Sequence, residues 1–173
     1  MNDNVITKSF WEKRILKFTP TLFSLFGKLY PEKITIRRII RFLLALPDGY
    51  KIYYLTKENK TIAYCVVQSG KSKRFNFVNN EDIIIGPILV LNEFRGKGVA
   101  TELIKSVLAL ENNNYKQAYC YIKKENQASI NTFKKVGFIY YSDAILSPVL
   151  CNVKISNSEK SKHLIMKFNG GKI

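Results

Sequence analysis

The chain has 173 residues, 46% of them hydrophobic, which is enough for one domain with a sizeable core and too short for several. Lys and Arg outnumber Asp and Glu by 28 to 13, a net charge of +15, and this suits an anionic ligand, a nucleic acid or a membrane surface. The basic residues are mostly Lys and spread along the whole chain, so a basic solvated surface explains them better than a concentrated nucleic-acid patch. No apolar run reaches the length of a membrane span and no signal peptide is visible, so a cytoplasmic protein is expected. Cys65, Cys120 and Cys151 are odd in number and far apart in strand-like settings, which points to buried thiols rather than a disulfide framework or a metal site.

A short strand is expected around Asn4 to Thr7. Ser9-Phe-Trp-Glu12 reads as a capping box opening a helix from Phe10 to about Phe18. Thr19-Pro20 then restarts helix, with Leu22, Phe23, Leu25, Phe26 and Leu29 on its apolar side. Ile34 to Leu46 is a clearer amphipathic helix, with Ile36, Ile39, Ile40, Leu43 and Leu44 on one face and Arg37, Arg38 and Arg41 on the other. It reads as a surface helix packed on a sheet, in preference to a membrane-surface or anion-binding helix. Residues 1–49 therefore form a helical N-terminal part, and residues 50–168 a sheet core within the same single domain, 1–173.

Tyr50 to Thr56 and Thr61 to Gln68 flank the polar turn Lys57-Glu-Asn-Lys60 as a β-hairpin. Ser69 to Asn80 is polar and basic, a loop or a strand extension. Base stacking on its Phe75 and Phe77 is a weak reading, and nucleic acid is not the expected partner.

Ile83 to Leu91 is a nearly continuous apolar run, as in a strand buried on both faces. Arg95-Gly96-Lys97-Gly98 follows it, and Thr101 to Glu111 has helical spacing. Two glycines there allow a sharp turn with no side chains in the way. The unpaired amides of the helix's first turn, backed by the helix dipole, make a site for a phosphate or pyrophosphate, with Arg95 and Lys97 beside it. The dinucleotide fingerprint fails because position 101 is Thr, and the P-loop pattern fails because no Gly-Lys-Ser/Thr closes the loop.

Asn112-Asn-Asn114 breaks that helix and Tyr115 to Ile122 alternates as a strand. A helix over Ser129 to Val136 ends at Gly137, where a left-handed backbone is wanted. Phe138 to Tyr141, Val149 to Ile155 and His163 to Phe168 complete the strands, and the tail after Asn169 frays.

Arg95-x-x-Gly98-x-Ala100 resembles the acetyl-CoA loop of the GCN5-related N-acetyltransferase (GNAT) superfamily. Asn126-x-x-Ser129-x-x-x-Phe133-x-x-x-Gly137-Phe138 resembles that family's second signature, at the expected distance downstream. The resemblance covers roughly residues 50 to 168. It implies an α/β (α+β) fold with a mixed, mostly antiparallel sheet of about six or seven strands, helices on both faces, and N-terminal helices ahead of it.

The resemblance also implies acetyl-CoA as acyl donor and a direct attack of a neutral amine on its thioester. Residues 96 to 101 (Gly96, Lys97, Gly98, Val99, Ala100 and Thr101) together with Arg95 would cradle the pyrophosphate. The strand edge Ile88, Leu89 and Val90 would pair with pantetheine, aided by the break in pairing at Gly86-Pro87. Asn126 would hydrogen-bond the pantetheine arm, Phe133 would pack against it, and Ser129 belongs to the same signature. The family's splay between this strand and the next would make the slot for the thioester, and the Val90 N–H is the candidate oxyanion donor.

One position departs from the pattern. Many members carry Tyr where this chain has Phe133, which cannot protonate the leaving thiolate. Tyr140, its neighbour Tyr141 or water is then the candidate acid; Glu81 or Asp82 acting through a water, or else His163, is the candidate base. The expected acceptor is a small-molecule primary amine, in particular an anionic one such as a nucleotide-linked amino sugar. A protein N-terminus or Lys is the alternative acceptor, and a non-catalytic acyl-CoA-binding module is the alternative function. No metal is expected, and the oligomeric state is not legible.

Overall fold

The structure, a computed structural model, describes residues 4–8, 13–27, 30–31, 35–147 and 152–170. Among these the chain forms one nine-stranded sheet in the order β1-β2-β3-β4-β5-β6-β9-β7-β8. The strands are β1 (Asn4–Lys8), β2 (Lys13–Phe18), β3 (Tyr50–Lys57), β4 (Lys60–Ser69), β5 (Ile83–Val90), β6 (Ala118–Lys123), β7 (Phe138–Leu146), β8 (Val153–Ile155) and β9 (His163–Phe168). Three helices accompany them: α1 (Ile36–Ala45), α2 (Val99–Glu111) and α3 (Gln127–Val136). Every pairing is antiparallel except β5 with β6.

The two faces of the sheet carry separate cores, as the two-residue side-chain period requires. Tyr53, Leu55, Ala63, Cys65 and Val67 point to the side covered by α2 and α3, which contribute Leu103, Ile104, Val107, Ile130 and Phe133. Ile52, Tyr54, Tyr64 and Val66 point the other way, under Phe42 and Ala45 of α1 and under Phe26. On that same face Ile84, Tyr119 and Ile165 are covered by Phe75 from the 70–82 loop. Phe75 is therefore core, with its ring 6.0 Å from that of Tyr121, and is not available to stack on a base. Cys65 and Cys120 are buried free thiols, and burial pushes both pKa values up; Cys151 lies outside the described residues.

The expected N-terminal helices are corrected in two places. Lys13–Phe18, expected as helix, is strand β2 and pairs along its length with β3, from Lys13↔Lys57 to Phe18↔Ile52. The apolar residues Ile15, Leu16 and Phe18 satisfy either period over so short a run, and the open edge of the β3–β4 hairpin decides between them. Thr19 to Gly27 is not helix either. Thr21 and Ser24 exchange backbone hydrogen bonds at 3.0 and 3.1 Å in a tight turn. The expected capping box at Ser9 to Glu12 lies outside the described residues.

The expected helix over Ile34 to Leu46 forms as α1, but on a different face. Phe42 and Ala45 are buried with Ile39 partly so, whereas Ile36, Ile40, Leu43 and Leu44 are exposed. The Phe42 ring sits 4.8 Å from Phe26 and 4.9 Å from Tyr50, and these aromatic contacts set the helix's rotation.

Candidate active site

Strand β5 does two things that build a cleft. Its register against β4 slips between Val67↔Ile85 and Cys65↔Ile88, so Gly86 and Pro87 of β5 together oppose the single residue Val66 of β4. The Gly86 carbonyl accepts a hydrogen bond from Gln68 Nε2 at 3.0 Å, and Gln68 Oε1 accepts one from Arg74 Nη1 at 3.0 Å. Gln68 and Arg74 are both buried, so this chain of polar groups holds the bulge from inside the protein.

Strand β5 then leaves β6. The two pair only at Ile83↔Ala118 and Ile84↔Tyr119, although β5 runs on to Val90 and β6 to Lys123. A wedge opens between them toward their C-terminal ends. Leu91 N–H bonds to Ile62 O at 2.9 Å, so by the alternation of an antiparallel ladder the N–H and C=O of Val90 point away from β4, into the wedge. The Val90 carbonyl accepts Arg95 Nε at 3.0 Å, which leaves its N–H as the group facing the opening.

After a single 3-10 turn (Asn92–Phe94), Gly96 and Gly98 both take left-handed backbone, with φ of 74° and 75°. Gly98 is the N-cap of α2, and no side chain caps the helix's first turn. An ideal Cβ at either glycine would meet nothing within 4 Å, so open space lies beside the backbone at both turns. Helix α3 starts nearby with its own cap, Asn126 Oδ1 accepting from Ser129 N–H at 3.1 Å.

These pieces enclose a cleft of about 490 Å³. Of the residues singled out in the sequence, it is lined by Ile88, Leu89, Val90, Arg95, Gly96, Gly98, Val99, Ala100, Thr101, Asn126, Ser129 and Phe133. Lys97 does not line it; its Nζ lies 5.9 Å from the Phe94 ring centroid instead. Asn126 spends its carbonyl oxygen on the helix cap, a use the sequence reading did not foresee. Phe94, Ala128, Thr132 and Lys135 also line the cleft and were missed. For three of them the signal was present: positions 128, 132 and 135 follow the 4–3 spacing of one face of α3.

The candidate acid–base groups do not gather there. Glu81 precedes β5 at the far end, ion-paired to Lys116 at 2.6 Å. At about 3.3 Å per residue it stands roughly 30 Å from Val90, beyond reach through one water. Tyr140 is 59% exposed on β7 and donates to Asp143 Oδ1 at 3.2 Å; desolvation and then the Asp143 charge push its pKa up. It does not line the cleft.

His163 opens β9 opposite Lys123, at the end of the sheet where the wedge opens. By alternation it shares a face with Ile165, the face away from α2 and α3. Burial, then the Lys123 charge, lowers its pKa, with Glu125 opposing. Its folded pKa thus lies below the unfolded value of about 6.5, so its contribution to stability is full above that value and is lost as pH falls through the folded pKa. Thermal unfolding should show it: between pH 7 and pH 5 the wild type should lose more Tm than His163→Gln, and equal losses would show that His163 is not desolvated.

Comparisons with known proteins agree with this geometry. The sequence model of the Acetyltransferase (GNAT) family matches residues 18–138. No curated protein sequence matches significantly. Among solved structures, a GNAT family acetyltransferase from Elizabethkingia anophelis with acetyl-CoA bound superposes with a TM-score of 0.57 at 16% identity, over 89% of this chain and 97% of that one. The ribosomal-protein-S18-alanine N-acetyltransferase of Escherichia coli gives 0.55 at 12% identity, over 89% and 92%. A chimera of the spermidine N-acetyltransferase SpeG from Vibrio cholerae gives 0.51 at 15% identity, over 69% and 64%. At such identities the structures speak for the fold, and the family match speaks for descent: the chain belongs to the GNAT family of acetyltransferases.

Proposed function

We propose that the protein transfers the acetyl group of acetyl-CoA to a primary amine by direct attack of the neutral amine on the thioester. The observation that carries this reading is the conjunction, within one cleft, of a strand edge without a partner strand at Ile88 to Val90 and the uncapped first turn of α2. The turn's amides would hold the pyrophosphate, with Arg95 as the nearby cation. The free edge of β5 would pair with the amides of pantetheine, and Phe133 would pack against the arm. The Val90 N–H, turned into the wedge, would donate to the developing oxyanion. The amine nitrogen bonds to the carbonyl carbon, the carbon–sulfur bond breaks, the thiolate leaves, and the nitrogen gives up a proton.

Among the described residues, those that line the cleft include no carboxylate, imidazole or phenol. The amine therefore sheds its proton to solvent before attack, and Phe133 leaves the thiolate to be protonated by water. On this reading kcat/KM rises with pH and its inflection follows the acceptor's own pKa across a series of amines. An inflection fixed near neutral pH for every acceptor, and lost in His163→Gln, would instead make His163 the base.

The acceptor we infer is a small anionic amine, of the class of a nucleotide-linked amino sugar, supported by the net charge of +15. A Lys-rich protein tail would meet repulsion at such a surface, although a protein N-terminus would not. The lack of an acid or base in the cleft also favours a second reading, a non-catalytic acyl-CoA-binding module. CoA release, corrected for hydrolysis, across a panel of amines decides. Acceptor-dependent release supports the transferase. Acetyl-CoA binding with no acceptor-dependent release from small amines, peptide N-termini or Lys peptides overturns it in favour of the module.

A further inference from the structure

Strand β5 changes parity along its length. The Ile83 N–H bonds to Gln117 O at 2.9 Å, away from β4, whereas the Leu91 N–H bonds to Ile62 O at 2.9 Å, toward β4. Strict alternation from Ile83 would send the N–H of Leu89 and Leu91 outward and turn that of Val90 into the β4 ladder. The side chains agree. Ile83 and Ile85 lie in the core under α2 and α3, and Ile88 and Val90 pack against that same core, while Leu89 packs on the other face. The extra residue at Gly86-Pro87 makes the difference, since a slip of one residue exchanges the two faces and the two hydrogen-bonding edges of a strand.

Strand β4 grips Gly86 from two sides. On one face the Cys65 thiol meets its backbone; burial raises the thiol's pKa, and the hydrogen bond with Gly86 opposes the rise. From the opposite face, by the alternation of β4, Gln68 Nε2 donates to the Gly86 carbonyl. A side-chain amide has one donor end and one acceptor end. Arg74 can only donate and the Gly86 carbonyl can only accept, so the guanidinium on Gln68 Oε1 decides which end faces the bulge. Arg74 is itself fixed: its carbonyl accepts from the Val153 N–H at 2.7 Å, and the next residue, Phe75, is buried. We infer that Gln68, oriented by Arg74, is a positioning residue that keeps β5 in the register that turns the Val90 N–H into the wedge. The inference rests on the reading of the cleft as an acetyl-CoA site.

Gln68→Glu separates the two bonds. The carboxylate keeps its partner in Arg74 but sets an acceptor against an acceptor at Gly86. Acetyl-CoA, whose pantetheine arm needs the β5 edge, should bind at least about tenfold more weakly in calorimetric titration. Phosphoadenosine diphosphate, the nucleotide half alone, should bind within about twofold of wild type, because the first turn of α2 is untouched. Amide hydrogen exchange gives a readout free of ligand. Protection of the Leu89 N–H, which alternation places on the β4 side with Leu91, should fall at least about tenfold while that of α2 holds. Gln68→Leu removes the donor without adding a charge and should show the same pattern at smaller amplitude, which keeps the test decisive if Gln68→Glu does not fold. Wild-type acetyl-CoA affinity and Leu89 protection in the folded variants, or equal losses for acetyl-CoA and its nucleotide half, would overturn the inference. If the wild type itself does not bind acetyl-CoA, the transferase reading falls, and Leu89 protection alone still decides whether Gln68 holds the register.

Discussion

Gly98→Asp is expected to weaken acetyl-CoA binding at least tenfold, about 1.4 kcal/mol, while Gly98→Asn weakens it far less. The two variants share nearly everything but charge. At φ 75° Gly98 sits in left-handed backbone, where Asn and Asp are the side chains best tolerated, so both carry a similar conformational cost. An added Cβ meets nothing within 4 Å, so neither side chain clashes with the protein itself. What differs is a carboxylate placed at the first turn of α2, whose amides no side chain caps. If a pyrophosphate rests there, the Asp repels it and competes for the same N–H donors, and the gap between the variants narrows as salt is raised. Calorimetric titration of both folded variants gives the answer. Equal affinities would mean that the anion lies elsewhere, and the proposed cofactor orientation would fall with it.

The glycine turn was readable because its geometry is local. Gly96, Gly98 and Gly137 occupy positions where only a few residue types fit, and the Asn126 cap lies three residues from the amide it serves. Such constraints leave a trace in a short stretch of sequence. The wedge did not. No residue of β5 or β6 announces that pairing stops after Ile84 and Tyr119; that expectation came from the family resemblance alone. The chain from Arg74 through Gln68 to the Gly86 carbonyl joins three segments and has no one-dimensional signature. Segment 13–18 failed for a different reason. Its apolar residues fit helix and strand alike, and the deciding factor was the open edge of β3, which is a property of the sheet. The rotation of α1 was hidden because its apolar residues extend round more than half the circumference, and the aromatic contacts of Phe42 choose which part is buried.

At the other end of α2, Lys51→Met is expected to cost about 2–4 kcal/mol of stability in urea unfolding and to leave acetyl-CoA affinity unchanged. Glu111, the last residue of the helix, is 1% exposed and accepts two hydrogen bonds from Lys51 Nζ, at 2.8 and 2.7 Å, and one from the Tyr53 hydroxyl. Lys17 is more distant, at 4.0 Å. Lys51 is about a third exposed and borders a cavity of about 350 Å³ at that end of the sheet, so its ammonium keeps access to water when its partner is lost. Glu111 lines the same cavity but is only 1% exposed, so its carboxylate depends on its partners more than on water. Removing the lysine leaves a buried charge with inadequate compensation, whereas Glu111→Gln removes the charge that needs it, so the second variant should cost about half as much or less. With both substitutions the loss should lie close to that of Glu111→Gln alone, which makes the pair non-additive. Equal costs for the two single variants would show that the carboxylate is better solvated than its burial indicates. Unchanged affinity is expected because the first turn of α2 is held separately, by Lys13 on Glu102 at 2.7 Å, so loosening the far end of the helix need not move the amides that face the cleft.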